Sequence, residues 1–133
     1  MITLTDKDIE AKYKITHAIE DVKNILDDYK NDQIVESIRT VLPAGDDNSM
    51  LYMPCISISS HVSIIKTVSI FPTNKKFPTT QGNILVTDLN SGEHKANMAA
   101  SYLTRLRTGA MPAIATDKLA TGDARSLGVI GTG

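Results

Sequence analysis

The 133-residue sequence contains a single cysteine, Cys55, and no strong excess of charge of either sign. One cysteine excludes an internal disulfide, and its place in an apolar stretch predicts an unreactive thiol, because reactive thiols need an accessible, electropositive setting. A formal net charge of −1 argues against general binding to nucleic acid or to acidic membranes, which requires many more Lys and Arg than Asp and Glu. We therefore expect no nucleic-acid partner and no membrane partner.

The sequence also lacks long apolar runs and the common signatures of metal and nucleotide sites. No apolar segment approaches the roughly 20 residues that cross a bilayer, and residues 1–6 show no basic stretch before an apolar one. Its three histidines have no spacing typical of a metal site, so we expect no metal. P-loop and GxSxG signatures are missing. These absences favour a cytoplasmic protein with one core.

Apolar residues recur along the chain with two different periods. Thr5 and Asp8 have the spacing of a capping box at the start of a brief helix, and a helical period follows from about Thr16 to Lys30. Alternation then indicates strands near residues 34–42, 50–58, 62–71, 83–88 and 93–99. Helical segments are expected near residues 100–107 and 112–120, with a break or a kink between them at Gly109 and Pro112.

Three cations occupy positions where the pattern predicts apolar or helix-terminal residues. Lys66 shares a strand face with Val68 and Ile70, so its ammonium either reaches a carboxylate or water at the sheet edge, or it is buried with a lowered pKa. Arg39 shares a strand face with Val41. It is either an exposed strand residue or a residue that binds a carboxylate through two hydrogen bonds. Arg107 near the expected end of a helix complements the helix dipole or serves a site.

The chain ends in an apolar run and a glycine turn, LGVIGTG, at residues 127–133. A dinucleotide-binding βαβ unit begins in this way: its first glycine makes the turn and its second lets backbone N–H groups approach a pyrophosphate. The alternative is a plain glycine-rich tail. The third glycine, the helix and the ribose-binding acid are not in this sequence, so we expect the chain to be the front part of a larger enzyme.

Several longer motifs carry a family resemblance. They are YLTRLRTGA at 102–110, AIATDKLA at 113–120, IKTVSIFPTN at 65–74, PTTQG at 78–82 and the terminal LGVIGTG. In their order and spacing, the chain resembles the ornithine cyclodeaminase and mu-crystallin family, which includes alanine dehydrogenases and ketimine reductases. The family pattern is not followed everywhere, because Ala99 and Ala100 stand where many members carry an acidic residue and a glycine.

The resemblance implies an α+β fold and two domains. Residues 1–125 would form a dimerisation and substrate-binding domain, a mixed, largely antiparallel sheet with helices on one face. Residues 126–133 would be the first strand and glycine turn of a truncated Rossmann domain that binds NAD. The sheet would pair with that of a second subunit, which predicts a homodimer.

The resemblance also implies roles for particular residues. Arg39, Lys66 and Arg107 would surround the carboxylate of a small amino-acid substrate, with Lys66 as the catalytic residue that moves protons. Thr79 would lie on the cofactor side of the cleft, and Gly131 and Gly133 would approach the NAD pyrophosphate.

The implied reaction is the NAD-dependent conversion of L-ornithine to L-proline and ammonia through an imine. The alternatives are alanine dehydrogenase or ketimine reductase activity and non-catalytic binding of a small ligand, as in mu-crystallin. Because the family's catalytic aspartate would follow Gly133, we expect residues 1–133 alone to be inactive.

Overall fold

The computed structural model describes residues 1–131, in which three helices lie on one face of a mixed sheet. The helices are α1 (Asp6–Lys12), α2 (Ile15–Lys30) and α3 (Ser101–Leu119). The strands are β1 (Ile2–Leu4), β2 (Ile34–Glu36), β3 (Thr40–Pro43), β4 (Ser49–Ser57), β5 (Val62–Ile70), β6 (Thr80–Asp88) and β7 (His94–Ala99). The α+β fold expected from the sequence is therefore confirmed.

The sheet has the order β1-β7-β6-β5-β4-β2, and β3 also pairs with β4. Only the β1–β7 pair is parallel among the described strands; the others are antiparallel. Antiparallel neighbours need only short turns, which agrees with the closely spaced turn signals of the sequence. No helix of the described residues is long and apolar enough to cross a membrane.

Side-chain oxygens accept hydrogen bonds from backbone N–H groups at the starts of α1 and α3. Thr5 accepts a hydrogen bond from the backbone N–H of Asp8, and the Asp8 carboxylate accepts one from the Thr5 backbone, so the expected capping box is present. α3 has no side-chain cap of its own at Ala100. Instead, Asp6 of α1 accepts a hydrogen bond from the Tyr102 backbone N–H at 2.9 Å. One short segment therefore begins its own helix and stabilises the start of another.

Small side chains let the helices approach each other and the sheet. Ala18 of α2 and Ala110 of α3 are buried, and Ala100 at the start of α3 is completely buried. A Cβ on Gly82 of β6 would lie 3.2 Å from the Ala100 Cβ. The absence of a side chain at Gly82 is therefore what allows α3 to begin directly against the sheet.

The two helices expected over residues 100–107 and 112–120 are one continuous helix, because α3 passes through Gly109 and Pro112 to Leu119, so no break separates them. Proline removes one hydrogen bond and crowds the carbonyl four residues earlier, here that of Thr108. Thr108 is exposed, so water can solvate the carbonyl that loses its partner. A proline inside a helix costs least where the freed carbonyl faces solvent.

The expected strand over 34–42 is also wrong, since it is divided into β2 and β3. Glu36 pairs with Cys55 and Thr40 pairs with Tyr52. Thr40 thus lies four residues after Glu36, whereas their partners on β4 are only three residues apart. The extra residue cannot join the ladder and interrupts the strand, as in a bulge.

The terminal strand of the expected Rossmann start is not formed in the described residues, because Leu127–Gly131 have no regular secondary structure. An extended segment needs a neighbouring strand to satisfy its backbone groups. No strand of residues 1–131 pairs with it. Gly133 and its expected contact with NAD lie outside the described residues.

Candidate functional site

Lys66 lies at the middle of the sheet on the face that carries the helices. It pairs with Met53 on one side and with Ile84 on the other, so strands flank it in both directions. A cleft of about 240 Å³ opens between this part of the sheet and the helices. Its lining residues are Tyr13, Ala18, Val22, Lys66, Ile84, Leu103, Thr104 and Arg107.

The Lys66 side chain is held by hydrogen bonds to α3. Its Nζ donates to the Thr104 Oγ1 at 2.6 Å, and the Thr104 hydroxyl donates in turn to the Ala100 carbonyl at 2.6 Å. The ammonium is therefore not extended to water at the sheet edge, which was one of the two alternatives for this residue. Lys66 is half-buried and contacts a specific acceptor.

The charge of Lys66 is disfavoured by its surroundings. Burial lowers the pKa of Lys66 below its ordinary value of 10.5, and the positive charge of Arg107 lowers this pKa further. Neither cation takes part in an ion pair within residues 1–131, where the pairs are Lys23–Asp117 and Lys95–Glu93. No carboxylate is among the described lining residues of the cleft. Two cations without a counter-charge favour the binding of an anion there.

Arg107 lies in the interior of α3 and not at its end, so it does not complement the helix dipole. The helix begins six residues before it and continues twelve residues beyond it. Arg107 is exposed overall but lines the same cleft as Lys66. Thr104 precedes it by three residues, a spacing that brings both side chains to one helix face.

Arg39 lies outside the lining of this cleft, exposed in the segment between β2 and β3. It directly precedes Thr40, the first residue of β3, which pairs with Tyr52 of β4. The structure thus brings Lys66 and Arg107 to one cleft and leaves Arg39 outside its lining. The expected role of Arg39 in substrate binding stays a prediction.

Thr79 lies away from the cleft. It is exposed and directly precedes β6, five residues before Ile84, the partner of Lys66. At the rise of a strand, that spacing is about 16 Å along the sheet. Its expected position near the cofactor stays a prediction.

Gly131 has a φ of 82°, and among the described residues beyond its chain neighbours no atom lies within 4 Å of where its Cβ would be. This positive φ is the left-handed conformation that a glycine turn uses. Leu127–Gly131 run along α3 and enclose with it a groove of about 980 Å³. The expected contact of Gly131 with the cofactor stays a prediction.

Two other groups, Tyr13 in the lining of the cleft and Cys55 on β4, have raised pKa values. Burial and the hydrogen bond from its hydroxyl to Asp21 raise the pKa of Tyr13 to about 12, so its phenol stays protonated. Burial, with a contribution from Glu36, raises the pKa of the Cys55 thiol. Among the described residues no group of His, Cys, Asp or Glu is arranged to hold a metal ion.

Sequence reasoning missed Thr104 and Asp6. The helical spacing between Thr104 and Arg107 was a usable signal, because it predicts a shared face. The Asp6 contact with Tyr102 gave no such signal, since it joins segments 96 residues apart.

Comparison with known proteins places the chain in a family. The model of the Ornithine cyclodeaminase/mu-crystallin family matches residues 1–133. The chain belongs to that family. The resemblance found in the sequence motifs is therefore confirmed, and it extends over the whole chain.

Among curated family members, a Delta(1)-pyrroline-2-carboxylate reductase of Bacillus cereus is 37% identical over 81% of this chain and 34% of its own length. A second reductase of that name, from another strain of Bacillus cereus, is 32% identical over 100% of this chain and 42% of its own. The chain thus spans well under half the length of these relatives.

Solved structures of family relatives share the fold. Thermococcus litoralis Delta(1)-pyrroline-2-carboxylate reductase, in complex with NADH and L-proline, superposes with a TM-score of 0.86 at 30% identity, covering 94% of this chain and 40% of the other. Both this structure and an archaeal alanine dehydrogenase dimer contain NAD(H); the latter has a TM-score of 0.85 at 25% identity, covering 92% of this chain and 38% of its own. NAD is therefore the cofactor of these relatives.

Proposed function

We propose that this chain is the substrate-binding half of an NAD-dependent enzyme that reduces Δ1-pyrroline-2-carboxylate to L-proline. The observation that carries the proposal is the pair Lys66 and Arg107, two cations on one cleft without a carboxylate among its described lining residues. The names of the most similar relatives support the choice of substrate. Ornithine cyclodeamination, expected from the motifs, becomes the second candidate.

The substrate carboxylate would bind between the cations. The Lys66 ammonium has three N–H groups, of which Thr104 occupies one. Arg107 supplies a planar pair of donors that matches the two oxygens of a carboxylate. Arg39, in the segment between β2 and β3, would supply a third cation for this carboxylate. A carboxylate in this position would also remove the repulsion between Lys66 and Arg107.

The remaining wall of the cleft suits an uncharged ring. Val22, Ile84 and Leu103 line it with apolar groups, which favours contact with the CH₂ groups of a pyrroline ring. Ornithine would bring a second ammonium, and no carboxylate of the described lining residues would pair with it. An unpaired ammonium in a half-buried cleft is costly. This difference favours the cyclic imine over ornithine.

The reaction needs one hydride and one proton. A bound NADH would supply the hydride for C2 of the ring, where the C=N double bond becomes a C–N single bond. Lys66 would donate the proton to the ring nitrogen. Its lowered pKa brings the ammonium closer to the working pH than an ordinary lysine and so eases the transfer. Water then returns a proton to the neutral amine of Lys66.

We further propose a homodimer formed through the sheet face opposite the helices. Pro54, Ile65 and Leu85 form an adjacent row on that face, and Ile65 is 36% exposed. An apolar row at the centre of an uncovered sheet favours pairing with a second sheet.

The first test is a reductase assay on the protein that carries residues 1–133 together with any coding sequence after the Gly133 codon. We expect oxidation of NADH with Δ1-pyrroline-2-carboxylate and formation of L-proline. Lys66→Met should abolish turnover, whereas Lys7→Met, an exposed lysine on α1, should leave it unchanged. Turnover of L-ornithine or L-alanine without reduction of the cyclic imine would contradict the proposal and favour another family reaction.

The second test uses the 133-residue chain directly. Calorimetric titration with pyrrole-2-carboxylate, a planar analogue of the imine, should show binding that Lys66→Met removes. Equal binding by the wild-type and Lys66→Met chains would contradict the assignment of the cleft.

A further inference from the structure

Thr104 contacts the side chain at the centre of the proposed site, although nothing in the proposed reaction uses it. Its oxygen accepts from Lys66 Nζ at 2.6 Å, and its single O–H is donated to the Ala100 carbonyl at 2.6 Å. A hydroxyl has one donor and two lone pairs. Because the donor is already committed to Ala100, the side facing Lys66 can only accept.

The position of Thr104 is itself fixed by the sheet. The Ala100 backbone N–H donates to the Gly82 carbonyl at 2.9 Å, and Ala100 is completely buried. Gly82 pairs with Val68, two residues along β5 from Lys66. Contacts therefore run from Lys66 through Thr104, Ala100 and Gly82 back to β5. Because these contacts begin and end on β5, the Thr104 oxygen has little freedom to move relative to the Lys66 backbone.

We propose that Thr104 is a positioning residue for Lys66. It holds one N–H of the ammonium so that the other two face the substrate, one toward its carboxylate and one toward its ring nitrogen. The inference rests on the proposed function, because it assigns Thr104 a part in the same site. A flexible lysine side chain loses rotamer freedom when it binds a ligand, and a side chain held in advance loses less. Thr104 thus acts on the substrate only through Lys66.

Thr104 also supports the charged form of Lys66. Arg107 faces the lysine from α3 with a like charge, and Tyr13 at the end of α1 contributes a neutral phenol. Among the described lining residues, the Thr104 oxygen is the atom that accepts a hydrogen bond from Lys66 Nζ. Its removal should therefore favour the neutral amine.

The test compares wild type with Thr104→Val, Thr104→Ser and the control Thr116→Val, an exposed threonine on the same helix. In the 133-residue chain labelled at lysine nitrogen, NMR titration should show the Lys66 pKa lowered further in Thr104→Val. Serine keeps the hydroxyl and should restore the wild-type titration. Affinity for pyrrole-2-carboxylate should fall about tenfold in Thr104→Val, the effect of one hydrogen bond to a charged group.

The outcomes separate this inference from the proposed function. A wild-type Lys66 titration in folded Thr104→Val would overturn the positioning role even if the chain binds its ligand. If the wild-type chain binds no carboxylate but the Lys66 pKa is still lower in Thr104→Val than in wild type, the positioning role of Thr104 is supported and the proposed function is rejected. If Thr104→Val does not fold, Thr104→Ala against Thr104→Ser makes the same comparison, and equal titration in those two would reject the inference.

In an active protein the same substitution has a kinetic signature. Loss of positioning should raise KM for the imine and move the alkaline limb of the pH profile of kcat/KM to lower pH. A purely structural role would lower the yield of folded protein without moving that limb. Thr104→Ser should return the profile to that of wild type.

Discussion

Lys66 of β5 and Arg107 of α3 line one cleft, and the charge of Arg107 helps to lower the pKa of Lys66. Two like charges that line one cleft are unfavourable in the ligand-free chain. The arrangement becomes favourable when an anion binds between them, because each cation then gains a partner. The relationship therefore connects a cost in stability with a capacity to bind a carboxylate.

The first prediction concerns stability as a function of pH. Because the folded chain lowers the pKa of Lys66, the unfolded chain binds more protons between that lowered value and 10.5. The free energy of unfolding contributed by Lys66 should therefore rise with pH through that window. It should be least favourable below the folded pKa, where the ammonium is charged in both states.

The measurement is chemical denaturation at a series of pH values for wild type and Lys66→Met. The difference between the two removes contributions they share, including that of Tyr13, whose raised pKa acts with the opposite sign above pH 10. A difference that does not vary with pH would show that the folded chain leaves Lys66 unperturbed.

The second prediction concerns Gly82. A Cβ there would meet the Ala100 Cβ at 3.2 Å, the Thr67 carbonyl at 3.5 Å and the Val68 side chain at 3.6 Å. Since backbone positions fix these contacts, Gly82→Ala should shift the start of α3 and destabilise the chain by about 1–3 kcal/mol. It should also weaken ligand binding, because Thr104 moves with the helix.

Gly122→Ala is the matched control, since no atom lies within 4 Å of its Cβ position. Thermal unfolding and calorimetric titration of both variants provide the comparison. A Gly82→Ala chain as stable as the Gly122→Ala chain would mean that the close approach at Ala100 is not required.

The third prediction concerns the cap that α1 supplies to α3. Asp6→Ala removes the acceptor for the Tyr102 N–H and should lower stability by about 1 kcal/mol, as for other lost helix caps. Asp6→Asn keeps an oxygen acceptor and should cost less. Equal losses in urea denaturation would show that the charge, and not the hydrogen bond, matters at this position.

These contacts indicate what the sequence could and could not predict. Local periodicity located α2 and the strands β4, β5, β6 and β7, and the Thr5–Asp8 spacing located the start of α1. The break between β2 and β3 depends on register against β4, and the continuity of α3 through Pro112 depends on solvent at Thr108. Such features arise from pairing and exposure, which local spacing does not contain.

In the site, too, some residues could be identified from local sequence patterns and others could not. Lys66 was identifiable because a lysine interrupts an apolar strand face, and the family motifs added Arg39 and Arg107. Thr104 and Asp6 act through contacts 38 and 96 residues away in sequence. A single sequence gives no direct indication of such distant partners.

The fourth prediction concerns self-association through the open sheet face. Ile65 lies between Pro54 and Leu85 on that face, so Ile65→Asp would place a charge at the centre of the proposed interface. Burying an unpaired carboxylate between two sheets is strongly unfavourable. We expect wild type to sediment as a dimer and Ile65→Asp as a monomer. Leu119→Asp, at an 83% exposed position at the end of α3, should remain dimeric. A wild-type chain that stays monomeric at high concentration, or an Ile65→Asp chain that dimerises as well as wild type, would place any interface elsewhere.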